Sequence, residues 1–285
     1  MCVWLVVAAS VVAGAAASDP SGITTPGVQE TPGRFVTVCG FSHRAGDDPI
    51  VHFGKPGASH DHSFVGNVST NAFSTLASLR RSRTTCSPAS DTAAYWAPTL
   101  LANGRPVLPL RALVYYDRLT SAPLRPFPPG LRVVAGNAYA GTRQSTGVTF
   151  WQCSVIKTTL YGPMRRVQGA LPSAAGSIVP SCPPGTRLQL RVNFPDCWNG
   201  KTLDSLNHAS HMAYSRNGTC PRGHPVPVPA LGLVYEYLPP RGVVALSSGP
   251  AYTGHADFVN AWDQRALATL VARCLNTRRV CVFGT

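Results

Sequence analysis

Acidic residues are scarce in this chain of 285 residues. There are 12 Asp and Glu, two of them Glu, against 25 Lys and Arg. Lysine is nearly missing too, at three residues to 22 Arg. With so few carboxylates, a hydrolase relying on an acid pair has a short menu: Asp61, Asp204, Asp257 and Asp263. The net charge of +13 comes from this shortage and from scattered Arg. Only Arg80-Arg81-Ser-Arg83, Arg165-Arg166 and Arg278-Arg279 cluster, and none is interleaved with aromatics, which argues against a nucleic-acid groove. An anionic partner such as an acidic polysaccharide fits the sign of the charge. Cys-x-x-Cys is absent, which disfavours a thiolate metal site. There is no Gly-x-Ser-x-Gly elbow, P-loop, His-Glu-x-x-His helix or dinucleotide fingerprint. No internal repeat is evident.

What is present begins with an apolar run, Val3 to Ala17, closing on Ala-Ala-Ala-Ser. Residues 1–18 therefore read as an export signal, although no basic residue precedes the run. The run falls short of the about 18 residues a membrane span needs, and no later segment could span. Residues 19–34 read as a flexible leader. Cys2 lies in the signal, and the eight remaining cysteines form an even set, as expected of disulfides in an exported chain. Sequence does not fix their connectivity. Pairing neighbours closes the shortest loops: Cys39–Cys86, Cys153–Cys182, Cys197–Cys220 and Cys274–Cys281.

Hydrophobic residues make up 44%, enough for a core, and Gly and Pro number 26 each. Short Val-, Thr- and aromatic-rich runs recur between turn residues. Examples are Phe35–Cys39, Ala112–Tyr116, Leu131–Ala135, Thr146–Val155, Arg187–Phe194 and Leu231–Leu238. Pro98 inside the Ala93–Leu101 run predicts an edge strand or a bulge. Asn103-Gly104 predicts a hairpin, followed by a strand over Pro106–Leu110. Helical spacing predicts one helix over 72–83 and another from Asp263 or Gln264 to Leu275. The expectation is a mainly β fold, a β-sandwich or jelly-roll with long disulfide-stapled loops and one or two short helices, in a single domain over 35–285.

Three loop-like segments concentrate the chemistry: Gly57–His62, Phe194–Tyr214 and Thr253–Asp263. His60 and His62, at i, i+2, face one side of an extended chain, as do His255 and Asp257. His208 and His211, at i, i+3, share a face of a helical turn, with Asp204 close by. If the three segments meet, His60, His62, Asp204, His208, His211, His255 and Asp257 form one catalytic His/Asp site. A divalent metal held by His60, His62, His211 and His255 competes with acid–base chemistry on a bound sugar. A hydrogen-bonded brace for the loops competes with both. Trp198 and Trp262 are candidate sugar-stacking platforms, with Tyr95 and Trp96 behind them and Asn260 to orient the ligand.

A resemblance is carried by Asp48-Pro-Ile-Val51, Gly57-Ala-Ser-His-Asp-His62 with Gly66-Asn67, Thr85-Cys86, and Asp91 through Tyr95-Trp96. It continues through Val114-Tyr-Tyr116, Phe127-Pro-Pro-Gly-Leu-Arg132 with Gly136-Asn137, Phe194–Tyr214, Cys220-Pro221 with His224-Pro225, and Gly254–Asp263. Over about residues 39–275 the chain resembles a secreted family of fungi and actinomycetes catalogued as a domain of unknown function, number 1996. Some members carry appended carbohydrate- or wall-binding modules. The resemblance therefore implies a glycan partner, and Asn67 and Arg132, inside its motifs, join the substrate-binding set. The resulting expectation is a secreted protein that cleaves an extracellular polysaccharide by hydrolysis or elimination. The alternative is a noncatalytic glycan-, wall- or metal-binding extracellular protein.

Overall fold

Two antiparallel sheets face each other across one apolar core. The computed structural model describes residues 33–155, 179–281 and 283. The export signal and nearly all of the leader lie outside the described residues. The larger sheet places Thr149–Val155, Thr186–Asn193, Ala230–Tyr237, Arg111–Asp117 and Arg34–Cys39 side by side. Val280–Cys281 adds a parallel edge to Arg34–Cys39, and Cys86–Ser87 pairs with that same strand. The smaller sheet has five strands in the order Phe41–Ala45, His62–Gly66, Ala94–Pro98, His255–Val259 and Arg132–Gly136.

Side-chain alternation, period two along each strand, decides what each face does. Val65, Tyr95, Ala97, Ala256 and Phe258 point inward from the smaller sheet to meet Phe35, Val114, Tyr116, Leu190, Leu233 and Tyr235 of the larger. The opposite parity of the smaller sheet holds Phe64, Trp96 and Val259, which Ile50 and Leu79 cover from the 46–80 connection. The outer face is thus buried as well, and every residue of the strands His62–Gly66, Ala94–Pro98 and His255–Val259 is buried.

The strand carrying Pro98 is the central one of its sheet, not an edge. Pro98 is its last residue, opposite His62, and the hydrogen-bonded register with His255–Val259 extends only from Ala94 to Trp96. Its missing N–H therefore leaves no gap in the ladder. The Asn103-Gly104 hairpin joins Leu100–Ala102 to Arg105–Val107, shorter than the expected Pro106–Leu110 strand. The helix expected over 72–83 shrinks to Leu76–Arg80. Asn71 Oδ1 accepts from the Phe73 N–H and Thr75 Oγ1 from the Ser78 N–H, so Thr75 becomes a cap and Phe73 stays exposed. The second helix runs Gln264–Leu270 and passes into a π-turn over Val271–Leu275.

Four disulfides join Cys39–Cys86, Cys153–Cys182, Cys197–Cys220 and Cys274–Cys281. Among the described residues no helix is long and apolar enough to cross a membrane.

A polar chain runs through the core. Trp262 Nε1–H donates to Tyr116 Oη at 2.9 Å, Tyr116 and Tyr95 share a hydroxyl contact, and Tyr95 donates to Asp91. Thr37 donates to the same carboxylate at 2.9 Å. Burial pushes the Asp91 pKa up to about 7, against the hydrogen bonds from Tyr95, Thr37 and Ala93. A pKa raised in the fold means that the stability it brings is complete below the unfolded value and is lost as pH rises through about 7. The shift corresponds to about 4 kcal/mol across that window. Urea unfolding should therefore show wild type losing stability relative to Asp91→Asn between pH 4 and pH 8. A difference that stays flat with pH would remove this reading of Asp91.

Candidate metal centre

The sheet register builds the site. Asp257 pairs with Trp96, and Trp96 with Phe64, so these three form one row across the outer face. Two residues along on the same face, His62 lies opposite Pro98, and on the strand beyond His255 stands two residues before Asp257. Proline offers no long side chain between the two imidazoles, whose ring centroids lie 5.8 Å apart. His60, two residues before His62, adds a third ring at 4.3 Å from His62 and 4.9 Å from His255. Gly136, opposite His255, has φ +82°, and a Cβ there would sit 2.9 Å from the His255 Cα. Only a bare backbone lets the sheet close on His255 at this point.

Each buried imidazole has one nitrogen fixed by the backbone. His62 Nδ1–H donates to the Asp47 carbonyl at 3.0 Å and His255 Nδ1–H to the Thr253 carbonyl at 2.9 Å. A carbonyl only accepts, so both Nε2 atoms carry lone pairs. His62 Nε2 is buried with no partner among the described residues. His255 Nε2 stands 3.1 Å from His60 Nε2, near the about 3.3 Å spacing of two nitrogens around a tetrahedral ion. Ring nitrogens of His60, His62 and His255 lie within 4.8 Å of one another. Asp48, His62 and Asp257 form a second such group through the shared His62. Both Asp257 oxygens are buried without a hydrogen bond among the described residues. A third grouping, Cys39, Cys86 and Asp91, is a disulfide beside a carboxylate and offers no thiolate.

Electrostatics agree with this geometry. Burial lowers the pKa of His60 and, well below its usual value, that of His62, to which the neighbouring His60 and His255 add. Burial brings His255 to about 4. Asp257 is pushed well above the carboxylate range by burial first and by Asp48 second. Neutral imidazoles with convergent lone pairs, next to a carboxyl that burial keeps protonated until a cation displaces its proton, suit a divalent cation. Imidazole and carboxylate without thiolate suits zinc, copper, nickel or cobalt.

The Phe194–Tyr214 segment does not join this centre. His211 Nε2–H donates to the Arg132 carbonyl at 2.6 Å, and its Nδ1 meets Ser205 Oγ at 3.0 Å. Arg132 lies four residues from Gly136 along one strand, about 13 Å from the position opposite His255. His208 Nδ1 contacts Asp204 at 3.0 Å, and Arg132 Nη1 approaches the same carboxylate at 3.8 Å. The expected single site is therefore two clusters: His60, His62, His255 and Asp257 in one, Asp204, His208, His211 and Arg132 in the other.

The expected sugar-stacking rings are placed elsewhere. Tyr95, Trp96 and Trp262 are fully buried and present no face to a ligand. Trp198 is half-buried, its Nε1–H donating to the Thr202 carbonyl at 2.7 Å. Asn67 ties Leu79 to Thr92, and Asn260 ties its loop to Phe127 and Pro128. Asp48 was not foreseen. Its Oδ1 accepts from the Ile50 and Val51 N–H groups, an Asx turn that the Asp-Pro sequence could have signalled.

The chain belongs to a family described as a domain of unknown function, DUF1996. The family profile matches residues 48–262, from Asp48 to Trp262, and so spans both histidine clusters. No curated protein and no solved structure matches the chain. The family gives the centre a setting but no activity.

The two clusters predict opposite responses. His211→Ala takes away the imidazole that the Arg132 carbonyl accepts from, while the Ser205 hydroxyl keeps Asn207 Oδ1, and should cost about 1–3 kcal/mol in urea unfolding, with bound metal unchanged. His60→Ala and His255→Ala should lower bound metal, read by elemental analysis. Metal loss in His211→Ala would merge the clusters again.

Proposed function

We propose that this DUF1996 protein is a secreted metalloprotein whose His60–His62–His255–Asp257 centre serves the cleavage of an acidic extracellular polysaccharide. The observation carrying it is the convergence of three imidazoles, two of them fixed by backbone carbonyls, with His62 shared between them and a second group that holds the unpartnered buried carboxyl of Asp257. A bound ion would act as a Lewis acid for a sugar carboxylate or for water. His60 is half-buried, whereas His62 and His255 are buried, so a substrate would approach from the His60 side. Secretion is supported by the N-terminal sequence and by four disulfides, which persist in oxidising compartments.

Charge supports the substrate class. Of the ten described acids, nine accept hydrogen bonds or pair with Arg or His inside the fold, and the tenth, Asp257, is buried. Exposed Arg80, Arg81 and Arg83 thus face solvent without a surplus of surface carboxylates. Elimination fits better than hydrolysis. Asp48 and Asp257 offer oxygens within 4.8 Å of one another, both buried, which leaves no room for a sugar between them. In elimination a base takes the proton beside the uronate carboxylate. The glycosidic C–O bond then breaks, the alcohol leaves with a proton, and an unsaturated uronate remains.

A second reading is a noncatalytic metal-binding extracellular protein, favoured by the near-complete burial of His62, His255 and Asp257. Polyuronate incubated with metal-loaded protein should gain the ultraviolet absorbance of unsaturated uronates, and His60→Ala should lose it. Stoichiometric metal with no product from any acidic polysaccharide would leave the second reading standing. Purified protein that takes up no divalent metal would sink both.

A further inference from the structure

A separate cleft lies on the outer face of the larger sheet, across the core from the histidines. The strand rows again show how it forms. Asn193, Gly232, Tyr115 and Val36 make one row, and Ala230, Asp117 and Arg34 the next. Inward neighbours Val192, Leu231 and Tyr116 belong to the core, so these residues point out. The cleft encloses about 440 Å³, room for one or two sugar units.

We propose that this cleft binds the carboxylate of an acidic sugar through Arg191. The guanidinium is pre-arranged. Its Nε–H donates to Asn193 Oδ1 at 2.8 Å, and its plane sits 5.1 Å from the Tyr115 ring centre. The terminal amino groups make no hydrogen bond among the described residues and present the fork that matches a carboxylate. Gly232 makes this possible, because a Cβ there would stand 2.8 Å from Arg191 Nη2.

The charge count leaves Arg191 in need of an anion. Asp117 is the nearest acid, and Arg34 already holds it through two bonds of 2.5 and 3.0 Å. Burial lowers the Arg191 pKa and Arg34 adds to this, while Asp117 and Tyr115 act against it. At the other end of the cleft Asp196 accepts from Ser215 N and Oγ, both at 2.7 Å, and Tyr214 stands beside it. That end offers polar groups for sugar hydroxyls. The inference shares the acidic-polysaccharide substrate class of the proposed function but uses none of the metal centre's residues.

Calorimetric titration of the full chain with trigalacturonate, at fixed ionic strength, tests it. Wild type should bind, Arg191→Gln should weaken binding at least about tenfold, and Arg191→Lys should recover part of it. Gly232→Ala keeps every charge yet crowds the guanidinium, and should weaken binding as well. Near-ultraviolet circular dichroism checks that each variant is folded. Chelator-treated protein should still bind through Arg191. Loss of binding on metal removal would assign the ligand to the histidine centre and overturn the proposal. Absence of binding by wild type, or equal affinity for uncharged trigalactose, would overturn it too.

Discussion

Burial of the outward face of the five-stranded sheet is the constraint on which the site depends. Most two-sheet folds leave such a face to water. Here the connection between Asp47 and Leu79 lies over it, with Ile50, Phe64, Leu79, Trp96 and Val259 forming a second apolar layer. His62 and Asp257 share the parity of Phe64 and Trp96, so strand alternation carries them into that layer regardless of their polarity. Each polar atom left unpartnered there costs about 1–3 kcal/mol. His62 Nε2, both Asp257 oxygens and Trp96 Nε1 are all in that state. The proposed cation at His62 and Asp257 would offset part of this cost, which would link metal affinity to folding stability.

The two histidine clusters differ in one decisive respect. Around His211, each ring nitrogen meets a partner of its own, Arg132 O or Ser205 Oγ, and the loop from Cys197 is braced to the sheet. Around His62 and His255, backbone carbonyls take one nitrogen of each ring and leave the other aimed at its neighbours. Equal histidine density in sequence thus produces a tie in one place and a ligand set in the other. Hydrogen-bond satisfaction, not proximity in the chain, separates them.

That distinction explains what the sequence could and could not disclose. The i, i+2 spacing of His60 and His62, and of His255 and Asp257, correctly implied shared faces, because alternation is local. The β class and the helix from Gln264 were likewise legible from periodicity. Which strands become neighbours is not local. The row His62–Pro98–His255 exists only because Ala94–Pro98 lies between the other two strands. Pro98 looked like an edge marker and turned out to be the small residue between two imidazoles. Trp96 and Trp262 sat beside polar segments in sequence yet point into apolar layers, again through alternation. Asp48 was read only as part of a motif and not as a site residue, because an Asp-Pro turn carries no histidine to draw attention to it.

The two outer faces of the sandwich carry complementary chemistry, and the scarcity of acids makes this workable. Asp117 pairs with Arg34, Glu236 with Arg111, and Asp61 with Arg44, so nearly every carboxylate serves an internal contact. On the cationic side, part-buried Arg191 has no carboxylate of its own among the described residues and stacks on Tyr115, with Arg34 at 5.2 Å from the same ring. Of the two carboxylates near this tyrosine, Asp117 is held by Arg34 and Glu236 by Arg111, which leaves Arg191 without an acid of its own in a partly desolvated cleft. On the other sheet, Asp257 is a carboxyl without a cation. The fold thus keeps a buried, protonated carboxyl without a hydrogen bond at one site and a cation without a carboxylate of its own at another, with the core between them. An acidic sugar at Arg191 and a divalent ion at the histidines are the two proposed ligands, each at its own site, and neither would have to cross the core.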